Sequence, residues 1–328
     1  MIDPNTLFIE EWETKQSIEF AQAVTGLRVN YSISGSAELT VDVADYRMLF
    51  WDNNYFQIGT TVIFKNERFR IASTELSQGD GEYVNVKLQI RTEAVQLMKE
   101  NRTPQAFRSA TGFEFARQVA KTYNLIPIIQ EIKGVKQSVI KVKVKDNRES
   151  VWDVLQRAAS DIQYVCFVSD GRLIFASPQW LLGRWGLETI QGATLEGYGG
   201  KKVVRDLSYV PFIYPADRSY SLFLLELPNM RRSEDSPREA EGSVQLWAGD
   251  AYEQAVGTAY NLRAGMTGYV YGIKGFEQAY LITSIDYQYA VSEPIEVALA
   301  TVSKLFPQDA SKINEKIAET VVIGGGGE

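Results

Sequence analysis

The sequence predicts a mainly β protein of the α+β class, in which two small β-barrel domains bracket an α+β module. Three observations carry that expectation. Both ends of the chain alternate apolar and polar residues in short runs bounded by Gly or Asn-Asn clusters, as half-buried strands do. Between about residues 98 and 185 the apolar spacing switches to that of helices. The β pattern of the first end is then echoed in the last, because residues 68–76 read RFRIASTEL and residues 279–287 read AYLITSIDY.

That echo pairs Ile71 with Ile282 and Ser73 with Ser284, each 211 residues apart (282 − 71). Val86 with Val297 and Leu88 with Leu299 fit the same separation of 211. Upstream, Gly59 in QIGTTVIF matches Gly265 in RAGMTGYVY at 206, and the five-residue difference fits a longer hairpin in the second copy, around GIKGFEQ. A β-unit used twice in one chain reads as a ring or barrel element built by duplication.

In chain order, RVNYSI, AELTVDV, YFQIGTTVIF, RFRIASTEL and YVNVKLQI read as strands of a first β-barrel domain over residues 1–97. Thr111 followed by Glu114 has capping-box spacing and opens a helix through Ala116, Val119, Ala120 and Tyr123. A strand, LIPII, and the alternating SVIKVKVKD follow, then a second helix with Val151, Val154, Leu155, Ala158 and Ala159 on one stripe. The runs YVCFVS and RLIFAS meet at Asp170-Gly171 and predict a tight hairpin. The module therefore spans 98–185. From 186 to 305 the β pattern returns with KKVVRDLSYV and SYSLFLLEL, interrupted by RRSEDSPREAEG (231–242), which reads as an exposed loop. A short helix is expected over 251–262. Residues 306–328 read as a C-terminal helix and a flexible GGGGE tail.

Composition narrows the function classes. The 328 residues allow two or three domains, 45% of them are hydrophobic, and no apolar run reaches a bilayer's ~20 residues. MIDPNTLFIEEWE does not read as a signal peptide, and the single Cys166 fits synthesis in a reducing cytosol. The chain has no histidine, which removes Ser-His-Asp and Cys-His nucleophile systems and the usual zinc sites. A net charge of −7 argues against tight nonspecific duplex binding. No cofactor, metal or catalytic residue is expected.

The remaining motifs have plain explanations. Gly197-Tyr-Gly-Gly-Lys-Lys202 lacks the following helix that a phosphate loop needs and reads as a loop. Lys141, Lys143 and Lys145 form the wet face of a half-buried strand. Glu10, Glu11, Glu234, Asp235, Glu239 and Glu241 sit in polar segments that offer no rigid cleft for acid catalysis. Trp180, Leu181, Leu182, Trp185 and Leu187 lie at a module junction, where they either pack modules together or anchor a subunit interface.

The order barrel, α+β insert, barrel resembles the baseplate hub of contractile-tailed bacteriophages and the related spike-hub proteins of type VI secretion. The closest local likeness is residues 148–178, where Ser150, Trp152, Leu155, Ala159, Asp170 and Gly171 carry the family's helix, strand and Asp-Gly hairpin. The resemblance implies that both β-barrels are tube-like and that the chain is a non-enzymatic structural hub. Three subunits would then form a pseudo-sixfold ring joining the tail tube to a central spike. The implied partners are two further copies of the chain, a separate spike protein, a tail tube or tube-initiator protein, baseplate wedge proteins and the tape measure protein. No membrane is involved, and DNA is met only in passage through the lumen. The implied location is the virion tail baseplate, after synthesis in the host cytoplasm. Two other readings stay open at this point: the tip protein of a long noncontractile tail, and a carbohydrate-binding β module using Trp and Tyr platforms. A carboxylate hydrolase is a third, unfavoured class.

Overall fold

The structure is a computed structural model that describes residues 7–10, 17–65, 67–104, 111–130, 149–181, 209–213, 222–223, 229–232, 240–246, 262–271, 273–276, 279–288 and 295–301. It is mainly β, with a large curled sheet and few helices. The first β-unit runs β1 (Leu7–Glu10), β2 (Ser17–Glu19), β3 (Val24–Ser32), β4 (Glu38–Tyr46), a short helix α1 (Leu49–Asp52), β5 (Thr61–Phe64), β6 (Glu67–Gln78) and β7 (Tyr83–Thr92). The module follows with α2 (Glu93–Glu100), α3 (Gly112–Thr122), β8 (Ile126–Ile129), α4 (Val151–Ser160), β9 (Val165–Ser169), β10 (Arg172–Ala176) and α5 (Pro178–Leu181). The second β-unit comprises β11 (Tyr209–Ile213), β12 (Leu222–Phe223), β13 (Asn229–Arg232), β14 (Ala240–Leu246), β15 (Thr267–Tyr271), β16 (Ala279–Gln288) and β17 (Ile295–Ala300).

Period-two alternation builds the strands. In β4, Leu39, Val41 and Val43 are buried while Glu38, Asp42 and Tyr46 face solvent. Asp45 takes the next inward slot as a fully buried acid. Its two carboxylate oxygens accept from the Phe50 and Trp51 amides at 3.0 and 2.9 Å, supplying the cap that α1 otherwise lacks.

The duplication is visible strand by strand. The first unit orders β3-β4-β7-β6-β5, and the second orders β13-β14-β17-β16-β15. Both copies carry a register shift at the same place, between Ile71 and Ser73 and between Ile282 and Ser284. Gly59 and Gly265 each donate to the matching Ile carbonyl, Ile71 and Ile282, at 2.8 Å. The hairpin from Thr267 to its partner Leu281 is five residues longer than that from Thr61 to Arg70 (14 against 9), as the sequence spacing predicted. The downstream correspondence needs correction, however. Ile71 pairs with Ile90 and Ile282 with Leu299, so Leu299 matches Ile90 at 209 (299 − 90), and Val297 matches Leu88. The matches at 211 are slipped there by two residues. A two-residue slip keeps every side chain on its face, so apolar alternation alone cannot detect it.

Three further readings change. YFQIGTTVIF is not one strand: residues 53–59 turn, and only Thr61–Phe64 is extended. Gly59 at φ +93° is the physical reason, since it bends the chain where a strand would continue. The helix α2 begins at Glu93, inside the stretch assigned to strands, with Val95 and Met98 buried on its inner side. The ends of the 231–242 loop are strands, with Arg231 opposite Glu241 and Arg232 opposite Ala240. The strand expected at 138–146, the Gly197 loop, the helix expected at 310–318 and all but the last residue of the helix expected at 251–262 lie outside the described residues.

The module's small sheet has the order β8-β10-β9. Cys166, Val168, Leu173 and Phe175 pack into the helical core with Phe115, Val119, Trp152 and Leu155. Phe167, Ile174 and Ala176 point the other way into the core of the β-units. A sheet covered on both faces needs continuous apolar runs, which explains why YVCFV and LIFA do not alternate. Two cores thus share one small sheet.

Candidate functional site

The two β-units meet inside the chain through a strand-to-strand joint. Strand β16 is bent at its bulge. Its first part, Ala279 to Leu281, pairs with β15, and its second part, Ser284 to Gln288, pairs with β3 of the other unit. The register sets Ile285 against Tyr31, Asp286 against Asn30, Tyr287 against Val29 and Gln288 against Arg28. Among the described residues, both β-units therefore belong to one sheet of 14 strands.

Side chains reinforce the joint on both faces. On the outer face, the Arg28 guanidinium forks onto the Asp286 carboxylate, its Nε donating at 2.8 and 2.9 Å to the two oxygens. The acid raises the Arg28 pKa further, first through the hydrogen bond and then through its charge. On the inner face, Tyr31 and Tyr287 meet edge-on with centroids 6.0 Å apart, and the Tyr287 hydroxyl donates to the Leu262 carbonyl at 2.6 Å.

Next to the joint lies a buried charge cluster drawn from all three parts of the chain. Arg263 comes from the second unit, Asp170 from the module's hairpin, and Lys65 and Glu67 from the β5–β6 hairpin. Arg263 Nε donates to Asp170 Oδ1 at 3.0 Å, and its guanidinium lies 4.4 Å from the centre of the Tyr31 ring. Burial pushes the Glu67 carboxyl up to about 9, reinforced by the Asp170 carboxylate beside it. For Asp170, burial also pushes upward, but the hydrogen bond from Glu67 and the Arg263 charge outweigh it and leave the carboxyl below its ordinary value. Burial, with Arg263 next, brings Lys65 down to about 8. Burial and the neighbouring Asp170 carboxylate thus favour the protonated form of Glu67, while Arg263 favours the ionised form of Asp170.

The motif residues singled out in the sequence have clear places. Ser150 caps α4 and forms a reciprocal capping box with Asp153. Trp152, Leu155 and Ala159 are buried in the module core. Asp170 (φ +48°) and Gly171 (φ +71°) form the hairpin turn, and the turn aims Asp170 at Arg263. Thr111 accepts from the Glu114 amide at 3.2 Å and starts α3. Of the junction group, Leu181 is buried in the core of the β-units and Trp180 is half-buried against it. Leu182, Trp185 and Leu187 lie outside the described residues.

Sequence reasoning missed Arg263, Lys65 and Glu67. One signal was readable: Arg263 stands two residues before Gly265, where the first copy has Gln57 two residues before Gly59. A charge present in one copy of a duplication marks a contact the other copy does not make. Among the described residues no three His, Cys, Asp or Glu side chains gather as metal ligands, and no helix is long and apolar enough to cross a membrane.

No protein-family profile matches the chain, and no curated protein does. Solved structures do. A tail protein from Neisseria meningitidis MC58 shares 9% identity over 91% of this chain and 97% of its own, with a TM-score of 0.56. The 43 kDa tail protein of prophage MuSo2 from Shewanella oneidensis shares 13% identity over 92% and 99%, also at 0.56. An Escherichia coli component of the type VI secretion system, itself structurally similar to the T4 bacteriophage tail proteins gp27 and gp5, shares 10% identity over 92% and 78% at 0.52. In fold, the chain is thus like the phage tail proteins and the hub-like proteins of type VI secretion, along nearly its whole length.

Proposed function

We propose that the chain is a structural, non-enzymatic baseplate hub of a phage tail, three copies of which form a ring of six similar β-units between the tail tube and a central spike. One observation carries this reading. A single chain holds two copies of the same strand order, joined edge to edge in one sheet. Two quasi-equivalent units per chain are what a threefold assembly needs to present a nearly sixfold surface. The likeness in fold to tail proteins supports the same conclusion.

In this reading the chain resides in the virion tail and is made in the host cytoplasm. Its partners are further copies of itself, the spike, the tube or tube-initiator protein, the wedge proteins and the tape measure protein, while DNA passes through the lumen. In this reading Trp180, Leu182, Trp185 and Leu187 add a second contact between neighbours, while Leu181 anchors the group to the core of the β-units. The test is localisation in the particle. Gold-labelled antibody against the chain is expected at the baseplate end of negatively stained tails. Label along the tube, on the capsid or on fibres would overturn the reading.

A further inference from the structure

We infer that the intrachain joint is repeated between copies, with the outer edge of β6 in one chain receiving β13 of the next. The inference deepens the hub reading and rests on it for the ring, but the pairing itself follows from the duplication. Beyond its bulge, β16 receives β3. Strand β6 is the first copy's counterpart of β16, and β13 is the second copy's counterpart of β3. The intrachain joint uses β3 and β16, so β6 and β13 are left over. Among the described residues β6 pairs only with β5, up to Arg70, and with β7, and β13 pairs only with β14.

Transferring the register identifies the contacts. Residues of β16 map onto β6 at 211 (284 − 73). Strand β3 maps onto β13 at 201, because Val29 lies opposite Leu39 as Met230 lies opposite Gly242, and Leu39 and Gly242 oppose the equivalent residues Ile90 and Leu299 (230 − 29). Tyr287 against Val29 becomes Leu76 against Met230. Asp286 against Asn30 becomes Glu75 against Arg231, and Gln288 against Arg28 becomes Ser77 against Asn229. The residues match without adjustment: an apolar pair falls on the inner face and an acid faces a base on the outer one.

Exposure agrees with this. Glu75, Leu76, Ser77 and Gln78 are all exposed, and Leu76, an apolar strand residue at an open edge, is 46% accessible. Asn229 and Arg231 are exposed and Met230 is half-buried. The acid is kept between the two joints, Asp286 in one and Glu75 in the other, while its basic partner moves along the opposing strand from the Arg28 position to the Arg231 position. An open edge with an exposed Leu is an aggregation hazard unless another strand covers it. Here the covering strand is a second copy, in a head-to-tail contact that closes when the rotation suits a ring.

Paired cysteines in the full-length chain test the register. Directly opposed residues of antiparallel strands lie at about 4.5–5.5 Å between Cα atoms, within disulfide reach. Strands β13 and β6 of one chain are seven strands apart in the sheet, so a bond between them in trans appears as covalent multimers on a nonreducing gel. Leu76→Cys with Met230→Cys is expected to give multimers ending at a trimer under mild oxidation, while each single variant stays monomeric. Leu76→Cys with Arg232→Cys, two residues out of register, is expected to link at least roughly tenfold less. In mass photometry, Glu75→Arg and Arg231→Glu each weaken assembly by roughly tenfold or more, and together restore it. Wild-type oligomers without linkage in the double-cysteine variant would overturn the joint and leave the hub reading to another surface. A wild-type chain monomeric at the highest soluble concentration, without linkage, also overturns the joint. Linkage combined with antibody label away from the baseplate keeps the joint and removes the hub reading.

Discussion

Gly265 donates its backbone amide to the Ile282 carbonyl at 2.8 Å with φ at +90°, and the ring of Phe167 fills the space where a side chain would stand. Gly59 repeats the backbone half of this arrangement, at φ +93° with the amide on Ile71, but without the aromatic neighbour. A Cβ at Gly265 would meet Phe167 Cζ at 2.7 Å, whereas one at Gly59 would meet only the Arg70 guanidinium at 3.5 Å. Both substitutions to Ala incur the backbone strain of a positive φ, about 1–3 kcal/mol. Only Gly265→Ala adds overpacking against a buried ring from the module, about another 1–3 kcal/mol. Urea unfolding should therefore rank Gly265→Ala well below Gly59→Ala, and equal midpoints would show that Phe167 does not fix this contact.

The Asp170 to Arg263 contact makes a separable prediction. Asp170 sits at φ +48°, a conformation that Asn tolerates almost as well as Asp. Asp170→Asn thus keeps the turn while removing the charge that Arg263 meets at 3.0 Å. The expected loss is about 1.5–3 kcal/mol, the worth of a hydrogen bond to a charged group. Asp170→Ala should lose more, since it also strains the turn. Identical losses for the two variants would place the whole effect in the lost ion pair and none in the backbone, and an unchanged stability in Asp170→Asn would show that the ion pair contributes nothing.

Cys166 is fully enclosed in the module core, and burial pushes its thiol well above the ordinary range. The thiolate is the reactive form, so the folded protein should resist maleimide at neutral pH. Labelling is expected to follow unfolding of the module, reported by mass shift across a urea series. Fast labelling in the absence of urea would mean that β9 opens locally. The same inertness keeps Cys166 out of the disulfides formed by cysteines placed on β6 and β13.

These residues show where sequence reading succeeds and where it stops. The turn at Asp170-Gly171, the stripe on α4 and the echo at Ile71 and Ile282 are local patterns with fixed spacing, and each survives as a structural element. The two-residue slip at Leu299 does not break alternation, so no face argument could reveal it; only the hydrogen-bonded register does. Helix α2 escaped although Ala94, Val95, Leu97 and Met98 have helical spacing, because its eight residues follow the alternating strand β7 with no break after Thr92. The joint between β3 and β16 and the cluster around Arg263 join residues 258 and 93 positions apart, as with Arg28 to Asp286 and Asp170 to Arg263. Such contacts leave no periodicity behind. Their one trace was the mismatch between Gln57 and Arg263 at equivalent places in a duplication.

Glu67 gives stability a dependence on pH whose sign can be worked out. Its carboxyl titrates at about 9 in the fold against an ordinary 4.5. Between those values the folded chain holds a proton that the unfolded chain has lost, so Glu67's contribution is fully present below pH 4.5 and disappears as pH rises toward 9. Lys65 acts in the opposite sense, because a value lowered to about 8 adds stability above 10.5 that is lost as pH falls through 8. The two effects oppose each other only between 8 and 9, leaving pH 5 to 8 to Glu67. Over that window unfolding midpoints at fixed protein concentration should fall with rising pH, by up to about 1.4 kcal/mol per unit. Glu67→Gln imitates the protonated acid and should flatten that slope, gaining most over wild type near pH 8. An unchanged slope in Glu67→Gln would assign the dependence to another group and would mean that Glu67 is ionised in the fold.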